Sequence, residues 1–233
     1  MTAASRTTTA DVLRVVLARS EPGAQASFEV ERGDALVLLD ALTAVAAEDP
    51  SVFFRYSCRS GFCGTCTVLL DGAPVLACQA PLPAGPATLH VAPLGGFPVV
   101  RDLVVDPAPF AERWRAIDPA MEPVGVMAGG DGAGDPAAVA DGLDCISCGA
   151  CFAACDLSSL DSAFLGPAAL TRAMVLVADG RDAARAERLA RVSGPDGVEG
   201  CRGMGACSLA CPKHLDPSRA IRRLRRWRIR GLP

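Results

Sequence analysis

The sequence has no long hydrophobic run. No window of its 233 residues approaches the about eighteen uninterrupted apolar residues of a membrane helix. Its first residues, MTAASRTTTADVLRVV, also lack the apolar stretch of a secretory signal peptide. These two absences predict a soluble, cytoplasmic polypeptide. Because 50% of the residues are apolar, the chain can still fill one large or two small cores, which excludes a disordered tail.

Histidine is scarce as well, with two in the whole chain. His90 falls in a predicted strand and His214 follows the last cysteines, and the sequence places no nucleophile beside either as a base partner. We therefore predict that both are structural or surface residues. No residue is assigned to substrate catalysis.

Basic residues are few until the end of the chain. Residues 213–233 carry Lys213 and seven arginines against the single acid Asp216, whereas the rest has 15 basic and 25 acidic residues, a balance of −10. Nucleic acid is excluded as the partner, because most of the chain would repel phosphate. The basic end is either a solvated helix face or a docking surface. Trp227 within it belongs either to a core or near lipid headgroups.

Cysteine, in contrast, is abundant, with eleven in the chain. Disulfides, zinc, or iron with sulfide are the alternatives. The odd number and the absence of a secretion signal argue against disulfides in a reducing compartment. Bound metal is therefore the working interpretation.

The first four cysteines have the spacing CxxxxCxxC, with eleven residues before the last. This is the plant-type ferredoxin spacing for a [2Fe-2S] cluster. Gly61 and Gly64 let the loop turn its N–H groups toward sulfide, and Arg55 and Arg59 either stabilise the anionic cluster, meet a partner or are solvated. Zinc is the alternative, although its ligands usually come as two CxxC pairs. The predicted ligands are Cys58, Cys63, Cys66 and Cys78.

A second cysteine pattern occurs twice, as CISCGACFAAC over 145–155 and CRGMGACSLAC over 201–211. It is the bacterial run whose fourth cysteine binds the other cluster of a two-cluster ferredoxin. By that logic the chain exchanges its last ligands between the two runs. One site, a [4Fe-4S] cluster, has the ligands Cys145, Cys148, Cys151 and Cys211. The other has the ligands Cys155, Cys201 and Cys207.

Met204 stands where the second run lacks a cysteine. A neutral thioether would hold an iron corner so weakly that the iron would be lost. We therefore predict a [3Fe-4S] cluster with Met204 beside the vacant corner. The alternative is a four-iron cluster capped by water or another residue.

The pattern of the first hundred residues predicts a β-grasp domain over residues 1–106. Strands are expected at 11–19, 27–31 and 87–94, with a hairpin turning at Asp71 and Gly72. A helix capped by Asp34 should cross the sheet and end before Pro50. Its apolar face comprises Leu36, Leu39, Leu42 and Val45.

Residues 107–233 are predicted to form a mainly helical second domain. A helix is expected over 107–120, a flexible linker over about 122–142, two helices between the cysteine runs and a last helix capped by Asp216. The fold class is therefore α+β. A β-grasp plant-type [2Fe-2S] ferredoxin-like domain precedes an all-α bacterial-type two-cluster ferredoxin-like domain.

A plant-type group followed by a crossed bacterial pair resembles the iron-sulfur subunit of succinate dehydrogenase and fumarate reductase. The match includes SCRSGFCGTC, PVVRDLVVD, FLGPAAL and ACPKHLDPSRAI. The resemblance implies an oxidoreductase subunit that passes electrons from a partner flavoprotein with covalent FAD, through [2Fe-2S], [4Fe-4S] and [3Fe-4S] clusters, to quinone at a membrane anchor. It also implies a peripheral location on the inner face of the cell membrane.

Two departures from the family bear on the acceptor. Many members have a proline, a serine and tryptophans after the fourth cysteine of the first run, where this chain has Asp156, Leu157 and Ser158. A histidine of the family is replaced by Arg202. The sequence CISCGACFAACD is more similar to members that dock on a di-haem cytochrome b, which carries haem b. Alternatives are the wire of a soluble flavoenzyme acting on another unsaturated acid, a free ferredoxin-like carrier and a zinc-stabilised scaffold.

Overall fold

The computed structural model describes residues 12–125, 134–160 and 163–233. Residues 1–11, which belong to the segment predicted to lack a signal peptide, lie outside the described residues. So do residues 126–133 of the predicted linker and residues 161–162.

The first half contains a mixed sheet with the strand order β2-β1-β5-β3-β4. Strand β1 is antiparallel to β2 and parallel to β5, and β3 is antiparallel to both β4 and β5. The predicted Asp71–Gly72 turn is confirmed between β3 and β4, with φ values of 50° and 82°. The strands are β1 (Val12–Ala18), β2 (Gln25–Glu31), β3 (Thr67–Leu70), β4 (Ala73–Leu76) and β5 (Ala87–Ala92), followed by a separate hairpin of β6 (Val99–Arg101) and β7 (Val104–Val105).

Helix α1 (Leu38–Glu48) packs on this sheet, but it begins later than the sequence predicts. Asp34 does not cap it. The residues before it pair instead with the loop after β4, where the Leu38 N–H donates to the Ala80 carbonyl at 2.8 Å. This pairing leaves Leu36 71% exposed, contrary to prediction, whereas the predicted Leu39, Leu42 and Val45 are buried. The carboxylate of Asp40 caps the start by accepting the Leu36 and Val37 N–H groups, each at 3.0 Å.

The second half is helical, as predicted, and is built around the almost fully buried helix α6. Its described helices are α2 (Ala108–Ala116), α3 (Pro136–Leu143), α4 (Ala150–Ala153), α5 (Asp156–Leu160), α6 (Gly166–Ala178), α7 (Arg185–Arg191), α8 (Ala206–Leu209) and α9 (Pro217–Arg230). Asp216 caps α9 as predicted, since its side chain accepts the Arg219 N–H at 2.8 Å.

Helix α3 corrects the predicted extent of the linker, because residues 136–143 are helical. Asp135 caps it by accepting the Ala138 N–H at 2.9 Å, and Pro136 opens its first turn. A Cβ on Gly142 would lie 2.6 Å from a methyl group of Val175, so α3 lies very close to α6. Small residues are typical of a flexible linker, but here they permit close packing of α3 on α6.

Two cores divide the described chain. One joins the sheet to α1 between Leu13 and Leu103, and the other surrounds α6 between Ile117 and Trp227. Burial of Trp227 in the second core decides for packing over lipid contact. The boundary at residues 106 and 107 falls between the cores and stays a prediction.

Candidate electron-transfer site

The first cysteine group lies in the loop between α1 and β3, with Cys78 following β4. Backbone N–H groups in this loop point at sulfur: those of Phe62 and Cys63 donate to Cys58 Sγ at 3.4 and 3.3 Å, and that of Gly61 donates to Cys78 Sγ at 3.3 Å. Gly61 and Gly64 both have φ of +71°, which lets the chain wrap inward without a Cβ clash. The predicted role of these glycines is thus visible in the loop geometry.

The same donors act on the thiols electrostatically. The backbone N–H of Ser60, with further donors in the loop, lowers the pKa of Cys58 to about 6. Burial raises the pKa of Cys66 to about 11, and the adjacent Cys78 and Cys63 contribute to this rise. The loop therefore brings the four predicted ligands together. A set of four sulfurs with inward N–H donors fits a [2Fe-2S] cluster.

The two runs over 145–155 and 201–211 have the same backbone conformation. In each, a glycine with left-handed φ, Gly149 at +81° or Gly205 at +79°, opens a four-residue helix. The third residues also match, since Ser147 has φ of +52° and Gly203 of +75°. The sequence repeat is therefore a structural repeat, and Met204 occupies the backbone position of Cys148.

The structure brings the cysteines together in the crossed sets. Cys145, Cys148, Cys151 and Cys211 line one cavity. Cys155, Cys201 and Cys207 line another, with Met204. Each set therefore combines residues from both runs, as the ligand exchange requires.

The electrostatics of the thiols largely follow the same grouping, although the charge of Cys207 in the other set also raises the pKa of Cys151. Burial raises the pKa values of Cys145, Cys148 and Cys151, and the charge of Cys211 adds to the rise in each. Burial raises the pKa of Cys207 to about 11, to which the charges of Cys155 and Cys201 contribute. Such coupling falls off with distance, so it indicates thiols that lie close together. Among the described residues, no three His, Cys, Asp or Glu side chains are arranged to hold a single metal ion.

The first cysteine loop is packed directly against the first run. A Cβ on Gly64 would lie 2.8 Å from both Cα and Cβ of Cys148. The Thr67 hydroxyl donates to the Gly64 carbonyl at 2.6 Å, and Thr67 and Cys148 line the same cleft. Thr67 cannot be recognised from the sequence, because a threonine that opens a strand carries no distinctive signal.

Asp102 is a second residue that the sequence analysis did not assign. Its side chain is 1% exposed and accepts the N–H of Phe53 at 2.9 Å and that of Ser20 at 3.1 Å. It thus fixes the irregular segment leading to Cys58. The signal was present in the fragment PVVRDLVVD, where Asp102 takes a left-handed φ of +47° between β6 and β7.

The flanking residues are mostly held within the chain. Arg55 donates to the Val105 carbonyl at 3.2 Å, and the Arg59 guanidinium lies 4.8 Å from the centre of the Tyr56 ring. His90 and His214 are exposed on a strand and a loop, as predicted. No helix among residues 12–125, 134–160 and 163–233 is both long and apolar enough to cross a membrane.

The sequence of this chain is similar to those of known iron-sulfur proteins. The chain is 35% identical to the fumarate reductase iron-sulfur subunit of Haemophilus influenzae, over 84% of this chain and 82% of the relative. The chain belongs to the family of fumarate reductase and succinate dehydrogenase iron-sulfur subunits. It is also 35% identical to the succinate dehydrogenase iron-sulfur subunit of Coxiella burnetii, over 81% of this chain and 82% of that one.

The fold agrees with membership of the iron-sulfur subunit family. A 2Fe-2S iron-sulfur cluster binding domain matches residues 9–112, and a 4Fe-4S dicluster domain matches residues 142–215. A chain of the Mycobacterium smegmatis Sdh1 complex in the apo form has a TM-score of 0.79 at 24% identity, covering 95% of this chain and 96% of that chain. The predicted α+β class, a [2Fe-2S] domain followed by a helical dicluster domain, is confirmed.

Proposed function

We propose that this chain is the electron-transfer subunit of a succinate dehydrogenase or fumarate reductase complex, linking a FAD subunit to a quinone-reactive membrane anchor. The crossed grouping of the cysteines is the observation that carries the proposal. Three cysteines from a CxxCxxC run with a fourth from the other run are the ligand pattern of two-cluster ferredoxins, whereas structural zinc ligands usually come as CxxC pairs.

We assign the ligands as the sequence predicts. Cys58, Cys63, Cys66 and Cys78 hold [2Fe-2S]; Cys145, Cys148, Cys151 and Cys211 hold [4Fe-4S]; and Cys155, Cys201 and Cys207 hold [3Fe-4S]. Support for the three-iron assignment comes from Met204, which lies at the wall of the third site and is 79% exposed. No other cysteine remains to replace it, because the eleven cysteines are all used.

The clusters supply one-electron redox chemistry when bound. The chain fixes their order: the contact of Gly64 with Cys148 joins the first site to the second, and the shared runs join the second to the third. Burial around three of the four thiols partly shields the middle site from water. This arrangement supports a linear path from the first domain to the exposed third site.

The third site is where we place the membrane anchor. The side chains of Leu160, Met204 and Leu209 around this end are 82%, 79% and 91% exposed. Exposed apolar side chains in one region mark interaction surfaces. We propose that the membrane anchor covers these side chains and supplies the quinone contacts. In the family members whose first-run motif this chain resembles, the anchor is a di-haem cytochrome b. The chain would then be peripheral on the inner face of the membrane.

Purification of the tagged chain from its native membranes tests the proposal. A flavoprotein with covalent FAD and a membrane subunit should copurify, and redox titration followed by electron paramagnetic resonance (EPR) should resolve three cluster signals. One of these should be an oxidised three-iron species. A zinc-containing, colourless chain without partners would contradict the proposal.

The wire of a soluble flavoenzyme is the second candidate. It is favoured by Asp156, Leu157, Ser158 and Arg202, which stand where many members have quinone contacts. Cell fractionation separates the two candidates. A chain found wholly in the soluble extract, bound to flavoprotein but without cytochrome, would support the second.

A further inference from the structure

The basic helix α9 is not a free charged stripe. Arg223 lies 2.8 Å from the carboxylate of Asp141 on α3, and Arg222 lies 3.6 Å from Asp216. Arg228 donates to the Ser193 carbonyl at 3.0 Å and pairs with Glu199. Much of the positive charge therefore acts inside the chain. This accounts for a feature that the sequence left as either solvated surface or docking surface.

Arg225 on this helix contacts the third cluster site through the backbone. Its Nε donates to the Val198 carbonyl at 2.8 Å, and its Nη2 donates to the carbonyl of Cys201. Val198 is fully buried, and Cys201 is a proposed ligand of the third site. A planar guanidinium holds two carbonyls with donors in a rigid fork, whereas the donors of an ammonium group rotate on a flexible stem.

We propose that Arg225 is a positioning residue for Cys201 and that its charge raises the reduction potential of the third cluster. It fixes the peptide from which the Cys201 side chain projects. Cys201 Sγ also accepts the Gly203 N–H at 3.4 Å, so both the carbonyl and the sulfur of this residue are held by hydrogen bonds. A fixed cation close to an iron-sulfur cluster stabilises the reduced, more negative form.

This assignment deepens the proposed function, since it requires a cluster at Cys201. It adds a chain-specific control over the last step of the electron path. A higher potential at the exposed end would favour electron flow toward that end. The inference does not depend on which partner docks there.

Redox titration with EPR of the purified iron-loaded protein, as complex or as single chain, tests this role. Arg225→Met should lower the midpoint potential of the third cluster by ~59 mV, which is a tenfold change in its one-electron equilibrium constant. Arg225→Lys keeps the charge but not the double carbonyl contact. It should give an intermediate potential and an altered line shape.

Arg226→Met is the matched control, because Arg226 is an exposed neighbour on the same helix. It should leave potential and line shape unchanged. If Arg225→Met cannot retain the third cluster, selective loss of that cluster supports the role of Arg225 in positioning Cys201. The midpoint potential is then measured in Arg225→Lys. An unaltered potential and line shape in Arg225→Lys, or in a loaded Arg225→Met, would overturn the proposal. Failure of the proposed function would show separately, because no flavoprotein would then copurify with the chain from its native membranes.

Discussion

The two cysteine runs share one backbone, but their surroundings differ sharply. The first is enclosed: a Cβ on Gly149 would lie 3.1 Å from the Phe97 ring, and Phe152 is 2% exposed. In the second, a Cβ on Gly205 would meet nothing within 4 Å, and Leu209 is 91% exposed. A duplicated ligand frame has thus been placed in two environments.

The difference separates two tasks. An enclosed cluster exchanges electrons only with its neighbours inside the chain, whereas an open one can pass them to another molecule. The missing cysteine is in the open run. Loss of a ligand at the surface changes a cluster without leaving a buried cavity, because Met204 is largely solvated.

Removing the cysteine that each run contributes to the other site should have the largest effect on the two clusters. Cys211→Ala should abolish the four-iron signal of the enclosed site, although the residue belongs to the open run, because only three thiolates remain there and the fourth iron is lost. Cys155→Ala should instead remove the three-iron cluster. Iron and sulfide analysis with EPR would measure both. The opposite pairing of variants and lost signals would refute the crossed ligation.

Completing the open run should make the two sites alike. Met204→Cys supplies a thiolate at the vacant corner, so we expect the three-iron EPR signal to be replaced by a four-iron signal in the reduced protein. Stability should change by no more than about 0.5 kcal/mol, since the side chain is exposed. Met204→Leu is the control and should keep three irons. A three-iron spectrum that persists in Met204→Cys would show that residue 204 points away from the cluster.

The equivalent glycines provide the smallest and most closely matched test. Both alanine variants lose about 1–2 kcal/mol from the left-handed backbone. Gly149→Ala should lose a further ~1–3 kcal/mol, because the new methyl group presses on the Phe97 ring, whereas Gly205→Ala meets open space. Denaturant unfolding of the loaded proteins would measure the difference. Equal losses would mean that the two runs are equally enclosed.

Local chemistry made much of this molecule predictable. Cysteine spacing predicts the three ligand sets because few backbones can present thiolates around a cluster at those intervals. Asp71–Gly72 and Asp216 were also predictable, because a tight turn and a helix cap each depend on adjacent residues. The iron-sulfur assignment of individual cysteines remains a prediction that the variants above would decide.

Features that depend on distant contacts escaped prediction. Helix α1 starts late because residues near Ala80 take its first N–H groups. Helix α3 exists because its small residues fit against Val175 and its neighbours on α6. The sequence does not distinguish Arg225 from the other arginines of the basic helix. Only the fold places it against the carbonyl of Cys201.

The close approach of Gly64 to Cys148 has a kinetic consequence. A free ferredoxin must diffuse to its acceptor, so its rate varies with concentration and ionic strength. Here both loops belong to one chain and touch through the backbone. Exchange between the first and second clusters should therefore be a first-order event, insensitive to dilution and to added salt.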